Sequence, residues 1–119
     1  MRYKIRLSYD GSAFCGWQIQ NNAKTVQGEL EKALKTFLGI EVPVTGAGRT
    51  DTDVNAINYI AHIDIPDEVR VEAAQLCYKL NAILPRTISV HEVCEVSDDF
   101  HARFDARSRE YHYFIHFVK

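Results

Sequence analysis

The chain has 119 residues, 46% hydrophobic and 25% charged, with a formal net charge of −2. That is enough chain for one domain with a real core, and its apolar runs are too short to span a bilayer. The near-neutral charge argues against a globally basic nucleic-acid coat, although a local basic face is still compatible with it.

The first predicted element is a strand over Arg2–Tyr9. Tyr3, Ile5, Leu7 and Tyr9 alternate with Arg2, Lys4, Arg6 and Ser8, the period of a half-buried strand. The alternation of charged and apolar residues also leaves no apolar segment of signal-peptide type at the start. Asp10-Gly11-Ser12 reads as a turn. After a loop, Thr25 is placed to cap a helix over Val26–Leu38. Val26, Leu30, Ala33, Leu34, Phe37 and Leu38 form one apolar stripe along it, and Gly39 suits its C-terminal end.

A second strand is predicted over about Glu41–Thr45 and a third over about Ala56–Ile65. Between them lies GAGRTDTDVNA, residues 46–56. A second helix is expected over about Val69–Leu84, stopped by Pro85, and a fourth strand over Ile88–Val96. The tail from about Arg107 to Val118 reads as a further, aromatic-rich strand, which calls for a neighbouring strand or a continuation of the protein. The order βαββαβ, plus this strand, predicts an α+β ferredoxin-like sandwich with both helices on one face of an antiparallel-rich sheet.

Cys15, Cys77 and Cys94 make no CxxC pair and stand at no zinc-ligand spacing. Unpaired thiols suit a reducing, cytoplasmic compartment. His101, Arg103, Arg107, Arg109 and His112 cluster within the C-terminal part of the chain, either as solvated edge charges or as contacts to a polyanion.

The loop between strands two and three admits two readings. It can be a tight charged turn, since two glycines permit sharp turning or close approach of the backbone. It can also be a reactive site: Arg49 offers a planar cation with bidentate reach to phosphate, and Asp51, two residues on, projects to the same side of an extended segment. A neighbouring cation keeps a carboxylate ionised, and an ionised, oriented carboxylate serves as nucleophile or general base.

Five segments, in order, bear on that choice. GAGRTDTDVNA resembles the GRTDxGVHA signature of the bacterial tRNA pseudouridine synthase A family. YDGSAFCGWQIQ resembles that family's opening YDGxxxxGWQxQ, TVQGELEKAL its first helix, YKLNAILP its LNxxLP helix end, and DDFHARFDARSREYHYFI its FHARFxAxxRxYxY stretch. Together the segments span nearly the whole chain.

The resemblance implies an enzyme that converts uridine to pseudouridine in the anticodon stem-loop of tRNA, with no metal or other cofactor. It implies that Asp51 is the catalytic aspartate. It implies that Tyr111 stacks on the target base, and that Arg49 holds phosphate or fills the space a flipped base leaves. His101, Arg103, Arg107 and Arg109 become candidates for RNA backbone contact. It further implies that residues 1–119 are the N-terminal, aspartate-bearing half of a two-half, homodimeric, cytoplasmic enzyme whose second half is absent here. The chain departs from the pattern just after Asp51, with Thr52-Asp53 in place of a residue and glycine, and Asn55 in place of histidine. Two readings of other classes stand beside this one: a non-catalytic ferredoxin-like RNA-binding module with exposed sheet aromatics, and a structural half-domain that dimerises.

Overall fold

The computed structural model describes residues 1–11, 14, 16–17, 24–47 and 56–102, excluding the side chains of residues 56 and 57. In chain order these form β1 (Arg2–Tyr9), α1 (Val26–Leu38), β2 (Val44–Gly46), β3 (Ala56–Asp64), α2 (Ala73–Ile83) and β4 (Ile88–Val96). The strands make one antiparallel sheet in the order β2-β3-β1-β4. β3 therefore lies between β1 and β2, which run parallel to each other across it. This is the split βαβ arrangement of a ferredoxin-like sandwich, as the element order predicts. The predicted C-terminal strand lies outside the described residues.

β1 is the centre of the molecule. Its odd positions, Tyr3, Ile5, Leu7 and Tyr9, are buried. They share the core with Ala61 and Ile63 of β3, with Leu30 and Leu34 of α1, and with Leu76 and Leu80 of α2. Each leucine or isoleucine among them contributes about 1.5–3 kcal/mol by leaving water. The opposite face of the sheet carries Arg2, Lys4, Arg6 and Ser8 of β1.

α1 matches its predicted bounds because its ends are encoded locally. The Thr25 hydroxyl accepts from the Gly28 amide at 3.2 Å, and Gly39, at φ 77°, caps the other end. Glycine adopts that left-handed conformation without steric cost. α2 starts four residues later than the apolar spacing predicts. Val69 and Val71 are partly buried against the core but precede the helix, and the Val71 carbonyl accepts from the Tyr3 hydroxyl at 3.3 Å. Here a tertiary contact outweighs helical periodicity in β-branched residues with modest helix preference. β2 is likewise shorter than predicted. Pro43 has no amide to give to a ladder, and pairing begins only at Val44.

The helices grip the sheet through side-chain to main-chain bonds. Asn81 of α2 donates to the Val90 carbonyl and accepts from the Val90 amide, both at 2.8 Å. Val90 lies on β4, an outer strand of the described sheet.

Candidate active site

Of the residues singled out by sequence, Asp51, Arg49, Tyr111, Arg103, Arg107 and Arg109 lie outside the described residues, as do Thr52, Asp53 and Asn55. His101 is described. So are the two strand ends, β2 before the GAGRTDTDVNA loop and β3 after it, that bound the segment bearing Asp51.

The exit from β2 is packed against aromatic rings. Trp17 is only 3% exposed, its ring centroid 4.5 Å from that of Tyr59 and 6.2 Å from that of Tyr9. A β-carbon added to Gly46 would fall 2.5 Å from the Trp17 indole and 2.6 Å from the Tyr59 hydroxyl. The close approach that the loop glycines allow is thus, at Gly46, an approach to this aromatic pair. One residue on, the Ala47 amide donates to the Ile60 carbonyl at 2.9 Å, so main-chain pairing with β3 persists to the edge of the loop.

The start of β3 carries an irregularity that the sequence did not disclose. Leu7 pairs with Tyr59 but Tyr9 with Ala56, a bulge in the ladder. Asn58 sits at the bulge with φ 58°, a left-handed conformation that asparagine tolerates better than most residues. Its side-chain oxygen accepts from Arg6 at 2.8 Å, and its amide donates to the Ser8 hydroxyl at 3.2 Å. The Ser8 hydroxyl also shares a hydrogen bond with His91 Nε2 at 2.7 Å. His91 is the residue skipped where Arg6 pairs with Glu92 and Leu7 with Val90. Two bulges therefore flank Ser8, and they gather Arg6, Ser8, Asn58 and His91 close to the end of the loop. Bulges recur beside active sites because they re-aim side chains. The only sequence hint was an asparagine within a predicted strand.

The segment after β4 crosses back to β3. His62, 4% exposed, accepts at Nδ1 from the Ala102 amide at 3.0 Å. The His101 ring stands edge-on to it, centroids 4.8 Å apart. Burial, first, and then the neighbouring Arg2 guanidinium and the His101 ring hold the His62 imidazole below its ordinary pKa, with Asp64 opposing. Arg2 donates from Nε and Nη2 to the Asp64 carboxylate at 2.8 and 3.0 Å, and from Nη1 to the carbonyls of Asp98 and Phe100. This side-chain hydrogen bond from Arg2 is the main cause holding the Asp64 carboxyl below its usual range. His101 is thus packed on β3, next to the candidate RNA-contacting stretch. Among the described residues no cluster of three or more His, Cys, Asp or Glu is placed to hold a metal ion, and no helix is long and apolar enough to cross a membrane.

A family model described as tRNA pseudouridine synthase matches residues 6–105, a stretch that runs from the second half of β1 through both helices, the GAGRTDTDVNA loop and His101. The chain belongs to the tRNA pseudouridine synthase family. Among curated relatives, the tRNA pseudouridine synthase A of Bacteroides fragilis is 49% identical over 118 residues, covering 99% of this chain and 46% of the relative. That of Porphyromonas gingivalis is 46% identical over 114 residues, 96% of this chain and 45% of the relative. That of Bacillus licheniformis is 45% identical over 118 residues, 98% of this chain and 47% of the relative. The chain spans somewhat less than half the length of these synthases.

Proposed function

We propose that this chain is the N-terminal, aspartate-bearing half of a tRNA pseudouridine synthase, with Asp51 as the reacting carboxylate. The observation that carries the reading is the match of the family model across the RTD segment, together with β2 and β3 anchoring both sides of it. In the reaction the uracil N1–C1′ bond breaks, the base turns, and a C5–C1′ bond forms. The proton leaves C5 and N1 gains one, so the change is an isomerisation without redox balance to meet. An ionised carboxylate serves it by attacking C1′, by adding to C6, or by taking the C2′ proton.

In this reading Tyr111 stacks on the flipped base, and Arg49 holds phosphate or occupies the vacated space. His101, Arg103, Arg107 and Arg109 meet the RNA backbone. The substrate is the anticodon stem-loop of tRNA, and the full-length protein is a cytoplasmic homodimer.

Asp51→Asn in the full-length protein is expected to abolish tritium release from C5-labelled tRNA. Turnover retained in that variant overturns the assignment of Asp51. The alternative of a stacking RNA-binding module finds no support among the four described strands of the sheet. The tyrosines of β1 and β3, Tyr3, Tyr9 and Tyr59, pack on the helix-covered side with the core. Among the described residues the other side carries Arg2, Lys4, Arg6 and Ser8 with the buried His62, not a platform of tyrosines.

A further inference from the structure

β2 is three residues long and pairs with β3 on one side. So short a ladder holds the strand weakly by itself, yet it is the last described element before the segment bearing Asp51. Side chains of α1 supply what the ladder lacks. Gln27 Nε2 donates to the Val44 carbonyl at 2.7 Å, and Glu31 Oε2 accepts from the Val44 amide at 2.9 Å. The two residues are one helical turn apart on one face, so α1 presents a donor and an acceptor to the main chain of a single residue. The backbone groups of Val44 that face away from β3 are thus satisfied by a helix.

The same turn of α1 also holds the main chain of the residue whose ring packs on Gly46. The Gln27 amide donates to the Trp17 carbonyl at 2.9 Å, and the Val26 amide to the Gly16 carbonyl at 3.2 Å. Gln27 therefore ties down Val44 with its side chain and Trp17 with its main chain.

We propose that Gln27 and Glu31 are positioning residues for the isomerisation. They act through Val44 and Trp17 to set where the chain leaves β2, and hence where the Asp51 carboxylate stands relative to the target nucleotide. This rests on Asp51 being the reacting group. Displacing a reacting group by about 1 Å costs on the order of a hundredfold in rate, whereas tRNA affinity is spread over many phosphate contacts. A positioning role therefore lowers kcat and spares KM, and a merely structural role lowers stability and spares both.

The test uses the full-length protein at a temperature well below each variant's unfolding midpoint, followed by circular dichroism. Gln27→Met and Glu31→Met keep side-chain length and remove the hydrogen-bonding group. Each is expected to lower kcat by about tenfold to a hundredfold with KM changed less than about twofold. Glu31→Gln keeps an acceptor oxygen within reach and is expected to retain kcat within about threefold. Unchanged kcat in both methionine variants, a rise in KM at constant kcat, or an equal loss in Glu31→Gln and Glu31→Met would each overturn the inference. Where the methionine variants do not fold, Glu31→Asp, which draws the acceptor back by one methylene, is read by the same criterion: lowered kcat supports the role and unaltered kcat refutes it. Asp51→Asn measured alongside separates the two readings. If it is active, the assignment of Asp51 fails and this inference with it. If it is inactive while Gln27→Met and Glu31→Met are both fully active, only the positioning role fails.

Discussion

Gly46 shows how a single missing atom shapes this molecule. A methyl group there would collide with Trp17 and Tyr59 at distances that side-chain contacts do not show, and both rings are held by their own packing. Gly46→Ala is therefore expected to lower stability by about 1–3 kcal/mol, the cost of overpacking a close-packed region. Urea unfolding would measure it, and an unchanged midpoint would show that the rings yield freely. Asn58 makes the complementary case. Its left-handed conformation is sustained by bonds to Arg6 and Ser8, residues 52 and 50 positions away in the chain. Neither role was visible in the residue types alone, since a glycine in a loop and an asparagine in a strand have many explanations.

At the scale of elements, β3 and the chain after β4 are joined by a titratable contact. His62 Nδ1 accepts the Ala102 amide proton only while the imidazole is neutral. Its pKa is depressed in the folded state by burial and by Arg2 and His101. The unfolded chain consequently binds the proton more readily, and stability falls as the medium is acidified. The contribution of His62 is complete above the ordinary histidine value of 6.5 and is lost as pH falls from there through the folded-state pKa. Unfolding midpoints taken between about pH 7 and pH 5 are expected to decline, and His62→Gln is expected to flatten that decline. An equal slope in the variant would place the acid sensitivity elsewhere. Asp64, lowered by Arg2, adds a loss of the same sign at more acidic pH. β1, α1 and β4 were legible to the residue because their alternation, stripe and caps are local. The start of α2 was not, because the Tyr3 hydroxyl and the core claim Val69 and Val71 first.

For the molecule as a whole, the decisive quantity is the share of the relatives that this chain covers, 45% to 47% in the three compared. If the synthase site needs groups from the remainder, the 119-residue chain by itself is expected to show little or no tritium release from C5-labelled tRNA. Turnover matching the full-length enzyme would show that this half is sufficient.

From the sequence alone came the ferredoxin-like order of elements, the buried face of β1, the bounds of α1, and the family, through five ordered segments that single out Asp51. These are properties of periodicity and of motif, carried by neighbours in the chain. Only the tertiary structure decided that Gln27 and Glu31 hold Val44, that Trp17 abuts Gly46, that bulges on both sides of β1 gather Ser8, Asn58 and His91, and that His62 receives the amide of Ala102. Each of these joins residues that are distant in the chain, or on different elements, through directional hydrogen bonds or hard contacts. Their partners are set by strand register and helix docking, which no local pattern encodes.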